Sequence, residues 1–349
     1  MIKRPPGPKG LPLVGSLFDF LKDRLGFLKM VSENYGDFAF FKIGPRQIYF
    51  INNPEFIKDI LITNNKKFIK SKVLQRSKII VGEGLLTSEK DNHIKNRRAI
   101  QPLFHTKAIP SYANIMVDET KRFVEKWIPD TTFDFHNEMM KITQTIVVKT
   151  LFGTDLGDKT QELIKSLNFI MKMFPKLIMP FSEIFDYLPL PSMIRLKKEM
   201  RSIDETIYEL IAQRKKVEDE RYDLLNILLN TKDENGNDFF TKKQIRDEII
   251  TFFIAGQETT SNSLCWTWYL LSQNPEYEDL LYREVDKVLN GRLPTVEDLN
   301  KLKLIENTFK EALRMYPPAW VVSRRATENY EINGYTIPKG ADIYMSQYV

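Results

Sequence analysis

The sequence predicts a mainly α-helical protein with a smaller β-sheet region, an α+β fold. Three observations predict it. Apolar residues recur at helical spacing through a long body, about 71–320. Short runs rich in aromatic and β-branched residues, separated by turn residues, lie in the flanking regions 1–70 and 321–349. Between Thr241 and Asn274 the chain reads as one long helix, about 48 Å at ~1.5 Å per residue.

Composition narrows the class. The 349 residues are 42% hydrophobic and 28% charged, the balance of a globular protein with a sizeable core. The net charge of +5 is modest and the lysines are scattered among acids, so nucleic-acid binding is not indicated. A single cysteine, Cys265, excludes an internal disulfide and a multi-cysteine zinc site, and fits a reducing, cytoplasmic setting. No apolar run of signal-peptide or anchor type opens the chain.

In chain order, Pro5-Pro-Gly-Pro8 and the residues to Gly15 make a stiff extended segment. Residues 24–35 read as a helix. The runs 37–43 and 47–52 are joined by Gly44-Pro45-Arg46 and read as a hairpin. Asn53-Pro54 opens another helix. Residues 71–92 read as irregular, and Gly82-Glu-Gly84 as a turn, since a phosphate-cradling loop needs a third glycine and a βαβ setting. From His93 to Phe104 the pattern is helical. His93 and Arg97 share a face there, able to grip an anion or simply to meet solvent.

Helices follow at 111–129, 136–152, 158–174 and 192–216. Residues 171–191 are apolar and broken by four prolines. They read either as a cover over something or as a packed loop. Residues 231–238 form a polar turn whose spacing does not fit a calcium loop. Helices at about 276–290 and 297–316 come next, the second with Glu311 and Arg314 three apart and able to pair. From 321 on the chain is strand-like, with an Asn333-Gly334 hairpin turn.

The long helix carries the sharpest signal. Thr241-Lys-Lys-Gln244 fits a capping box, and Asn274-Pro275 ends the helix. Its apolar middle gives way to Gln257-Glu-Thr-Thr-Ser-Asn262. Buried polar groups are costly without partners, so this step marks a surfacing helix, a site, or a membrane span with a polar patch. Charges at one end and polar groups at mid-span weigh against the last. Ala255 and Gly256 remove bulk one turn before Thr259, which predicts a gap beside the backbone. The Thr259 hydroxyl can bond back to the Ala255 carbonyl.

These residues carry a resemblance. Ala255-Gly-Gln-Glu-Thr-Thr260 is similar to the oxygen-activating helix motif of the cytochromes P450. His93-x-x-x-Arg97 with Gln101-Pro102-x-Phe104 resembles the family's propionate-binding helix. Lys310-Glu-Ala-Leu-Arg-Met-Tyr-Pro-Pro318 resembles its Glu-x-x-Arg helix, and the proline-rich start also fits. The four signatures occur in the family's order, and the look is that of soluble bacterial members.

The resemblance implies one cytochrome P450 domain over 1–349, with haem as cofactor, and a monooxygenase acting on a small apolar organic substrate and O2. The apolar residues along 171–191 suggest a greasy substrate, a fatty acid or terpene in class. A ferredoxin- or flavodoxin-type donor would supply electrons. Lys95, Arg98, Lys107, Lys121 and Arg122 are candidates to meet it, or a solvated surface. By motif position Glu258 would relay protons and Thr259 would bond the bound dioxygen. His93, Arg97 and Arg324 would hold the propionates around a gap at Ala255 and Gly256, while Glu311 and Arg314 would be structural. The family's Phe-x-x-Gly-x-Arg-x-Cys-x-Gly loop has no counterpart here. The expectation is therefore a chain truncated before its axial cysteine, with Cys265 a core residue and no metal ligand present. The alternative is an inactive family remnant or binding scaffold.

Overall fold

The computed structural model describes residues 3–104, 109–153, 157–216 and 223–349. It divides into two compact units. One is built from the described residues of 1–80, 172–195 and 319–349, and the other from those of 81–171 and 196–318.

The first unit holds the sheet. β1 (Phe38–Ile43) and β2 (Arg46–Ile51) form the expected hairpin, with Ile43 opposite Arg46 across a Gly44-Pro45 loop. Gly44 takes a positive φ there, the conformation glycine tolerates best. β3 (Phe68–Lys70) lies in the stretch 53–70 for which only a helix was expected. The sheet is completed by β4 (Val321–Ala326) and, after a separate hairpin of β5 (Tyr330–Ile332) and β6 (Tyr335–Ile337), by β7 (Asp342–Ser346). Its order is β1-β2-β7-β4-β3, with only β2 and β7 parallel. The hairpin turn at Asn333-Gly334 has positive φ at both residues, the signature of a turn that matches strand twist. Asp342 sits buried in β7 and accepts from Arg325 at 3.0 Å and from the Lys72 backbone at 3.3 Å.

The apolar, proline-broken stretch is tethered within this unit by two arginines. Arg46 donates to the carbonyls of Ile178 and Met179. Arg76 donates to those of Leu177 and Ser182 and pairs with Asp186 at 2.6 Å. Phe181, Ile184 and Tyr187 remain exposed.

The second unit is helical and centred on the Lys242–Ser272 helix, hereafter the central helix. Its capping box is present in both directions. It packs against the Phe135–Phe152 helix, where Gly256 permits a close approach: an added Cβ would meet Val147 at 3.0 Å. Trp266 stacks on Tyr316 at 4.1 Å and ties the central helix to the exit of the Lys303–Met315 helix.

Two sequence readings need correction. Residues 71–92 are not irregular throughout: Lys72–Arg76 and Lys78–Val81 are short helices, the first capped by Ser71. The Leu224–Asn230 helix, capped by Asp223, went unread because its apolar run is too short to show a period. Of the membrane reading, no described helix is long and apolar enough to cross a bilayer.

Gly82 and Gly84 do more than turn the chain. A Cβ at Gly84 would lie 2.2 Å from Thr251 Oγ1 and 2.7 Å from the Asp247 carbonyl. Gly84→Ala is therefore expected to destabilise the protein by roughly 1–3 kcal/mol, because the loop must move off the helix. Urea denaturation checks this, and an unchanged midpoint would refute the close approach.

Candidate active site

The central helix decides the site because consecutive residues face different surroundings. Ala255 and Thr259, four apart, are exposed on one stripe, and Trp266 continues it. Gly256 faces the Phe135–Phe152 helix instead. It borders a mainly apolar cavity of about 430 Å3 whose walls include Phe104, Tyr112, Val147, Phe252 and Thr260. Ala255 thins the exposed face, and Gly256, about 100° further round the helix, thins the neighbouring helix-packed one. Neither His93 nor Arg97 lines the cavity beside Gly256.

Polar residues in the middle of the helix are satisfied largely by its own backbone. Thr259 donates to the Ala255 carbonyl at 2.7 Å, as the sequence suggested, and Ser263 donates to Thr259 at 2.7 Å. Ser261 is buried and donates to Met140 Sδ at 2.9 Å and to the Glu258 carbonyl at 3.1 Å. Gln257 is fully buried, and its amide has no hydrogen-bond partner among the described residues. Glu258 is half-buried. Burial pushes its carboxyl above the usual range, with the charge of His136 pulling the other way.

His93 and Arg97 lie on the Lys90–Ile100 helix. Arg97 is exposed, with no side-chain hydrogen bond or ion pair to a described residue. His93 is half-buried, with Nδ1 3.1 Å from the Leu85 carbonyl. Asn96 of the same helix donates to Glu248 of the central helix at 3.1 Å. Glu248, Ala255 and Thr259 are spaced seven and four apart, so they share one face. The helix carrying His93 and Arg97 therefore flanks the face that displays Ala255 and Thr259. That donor set fits a planar group bearing carboxylates: a thin helix face with one hydroxyl, and two nitrogen donors to one side.

Arg324 belongs to the other unit, on β4, and donates to the Ser323 carbonyl at 2.9 Å. Glu311 and Arg314 form a two-pronged pair at 2.5 and 2.8 Å on an exposed surface. Such a pair contributes little by itself. Cys265 is half-buried, and its thiol is pushed up by burial and by the charge of Asp134, the reverse of a thiolate ligand's environment. Among the described residues no cluster of three or more metal-ligating side chains occurs. Of the basic candidates for an electron donor, Lys95 and Arg98 are exposed. Lys121 pairs with Glu125 and Arg122 with Glu119, and Lys107 lies outside the described residues.

Sequence reasoning missed Asp247 and Glu248. Both are buried beside the 82–85 loop: the Glu83 N–H donates to Asp247 and the Leu85 N–H to Glu248, each at 2.9 Å. The signal was two adjacent acids heading an apolar run, opposite a Gly-x-Gly stretch.

The family model described as Cytochrome P450 matches residues 5–349. Cyclooctatin synthase of Streptomyces melanosporofaciens is 32% identical over 98% of this chain and 75% of its own length. Pentalenene oxygenase of Streptomyces avermitilis is 32% identical over 97% of this chain and 75% of its own. A solved cyanobacterial structure with retinoic acid bound (CYP120A1) superposes with a TM-score of 0.85 at 21% identity, covering 100% of this chain and 78% of that one.

The raised Glu258 pKa has a consequence for stability. Stability tied to its protonated form is complete below the unfolded carboxyl's pKa and is lost as pH rises through the folded value. Glu258→Gln escapes that loss. The variant's Tm relative to the parent should therefore increase between about pH 4 and pH 7. A difference that shrinks over that range would show the carboxylate to be favourably paired.

Proposed function

The chain belongs to the cytochrome P450 family of haem-dependent oxidoreductases, and from that premise we propose that residues 1–349 act as one domain of a monooxygenase that inserts one atom of O2 into an apolar organic substrate. The observation that carries the site assignment is the exposed stripe of the central helix, where the Thr259 hydroxyl sits beside the small Ala255 and next in sequence to a carboxyl of raised pKa. Bound haem supplies O2 activation and electron transfer, and the protein supplies placement and protons.

Arg97 would hold the cofactor's carboxylates from the flanking helix by charge-assisted hydrogen bonds, together with His93. By motif position Arg324 is proposed to hold a cofactor carboxylate as well. Ala255 and Gly256 keep the helix thin beside the cofactor, Ala255 on the exposed face and Gly256 by letting the backbone settle against its neighbour. Thr259 commits its proton to the Ala255 carbonyl, so its oxygen is oriented to accept a hydrogen bond from the reacting side. Glu258 retains a proton to higher pH than an exposed carboxyl and would give it to the reacting oxygen, regaining one from solvent. Glu311 and Arg314 keep a structural role.

The substrate is proposed to be terpene-like. The support is the similarity to relatives named for pentalenene and for cyclooctat-9-en-7-ol. Electrons are proposed to come from a ferredoxin- or flavodoxin-type donor, with the exposed Lys95 and Arg98 as its contacts. A cytoplasmic setting belongs to the same proposal.

Two substitutions separate binding from chemistry. Arg97→Ala is expected to weaken haem binding by about tenfold or more, the loss of one charge-assisted hydrogen bond. Thr259→Ala should leave haem affinity unchanged and lower product formed per electron pair by roughly tenfold or more. Haem titration by absorbance checks the first, and product and electron counting in a protein extended through the family's Phe-x-x-Gly-x-Arg-x-Cys-x-Gly loop checks the second. Retained coupling in Thr259→Ala would remove Thr259 from the catalytic assignment.

A further inference from the structure

Glu248 has no part in the activity proposed above, yet it is a fully buried carboxylate (0% exposed) on the same helix face as Ala255 and Thr259. Burying a carboxylate is costly unless donors meet it. Its Oε2 accepts from the Leu85 N–H at 2.9 Å, and its Oε1 from the Asn96 amide at 3.1 Å. The carbonyl of the same Leu85 lies 3.1 Å from His93 Nδ1. The Ser88 hydroxyl, 3.5 Å from the same nitrogen, can donate or accept, whereas the nearer carbonyl can only accept, so the Leu85 contact calls for the proton on Nδ1. Asn96 and His93 are three apart on one helix. Glu248 therefore grips both the helix that bears the imidazole and the peptide that the imidazole binds.

We propose that Glu248 is a positioning residue for His93. Through Leu85 and Asn96 it fixes the Nδ1–H tautomer and the aim of the ring, and so assigns to Nε2 the contact with a carboxylate of the cofactor. Contact with that carboxylate draws a second proton from solvent onto Nε2, and the pair becomes charge-assisted. The cofactor contact rests on the haem reading given above, whereas the orientation of the ring does not.

The test begins on the full chain without haem, with ¹⁵N-labelled histidine. Only three histidines are present, so His93 can be assigned by substitution. Long-range proton–nitrogen spectra of the parent should show the Nδ1–H form. Glu248→Leu, which removes the acceptor at similar size, should give a mixture of tautomers and weaken haem binding by about tenfold. Glu248→Gln should restore both, because its carbonyl accepts from Leu85 while Asn96 turns its own amide. Should Glu248→Leu not fold, Asn96→Ala supplies the readout, with an intermediate shift expected. A folded Glu248→Leu or Asn96→Ala protein that keeps the parent's Nδ1–H spectrum overturns the proposal. A parent chain extended through the family's cysteine loop that takes up no haem overturns the functional reading, while the tautomer spectra still decide the role of Glu248.

Discussion

A carboxyl group inside a protein must find hydrogen-bond partners, and on the central helix two adjacent ones find them in the same loop. Asp247 and Glu248 are both buried, and each takes a backbone N–H from residues 83–85. Asp247 is further neutralised by Lys243 and Arg246, each at 2.9 Å, and Arg246 reaches on to Asp204 at 2.6 Å. The loop cannot drift without stripping donors from two buried acids. That requirement explains the glycines. The added Cβ at Gly82 would strike the Asp247 carboxyl at 2.2 Å, and at Gly84 the Thr251 hydroxyl at the same distance. Side chains are excluded where the backbone itself is the ligand.

The same helix shows why a long apolar rod can carry a polar step. Ala255, Gly256 and Gln257 are consecutive, and each meets a different environment: an exposed face, a tight helix contact and a fully buried position. The hydroxyls of Thr251, Thr259, Ser263 and Thr267 each bond the carbonyl four residues back. Those bonds satisfy the hydroxyls inside the helix, so the polar residues do not need partners elsewhere to be tolerated. What remains for outside groups is the hydroxyl oxygen, an acceptor, on a face that is open.

The parts of this protein legible in its sequence are those governed by local rules. The capping box at Thr241, the Gly44-Pro45 hairpin and the Asn333-Gly334 turn follow from short-range chemistry, and the structure has each of them. The bond from Thr259 to Ala255 is equally local. The face of Gly256 was not legible, because a missing side chain leaves no period to read. Nor was the partnership of Asp247 and Glu248 with residues more than 160 positions away, since charges at a helix start look the same whether they meet solvent or a loop backbone. Arg46 and Arg76 show the same limit. Their ligands are carbonyls of the 177–182 stretch, which no side-chain pattern announces.

Gln257 departs from the rules the rest of the helix obeys. A buried amide without a partner costs roughly 1–3 kcal/mol, and its neighbours on the helix show how readily that cost can be avoided. Where one residue breaks local consistency in an otherwise consistent element, function is the usual reason. Gln257 precedes the raised carboxyl of Glu258 and the committed hydroxyl of Thr259. Its amide sits on the far side of the helix from the open face, where it cannot act on a ligand directly. The unmet amide and the Thr259-to-Ala255 bond therefore answer to separate surroundings on one continuous turn, the first to a buried position and the second to the open face.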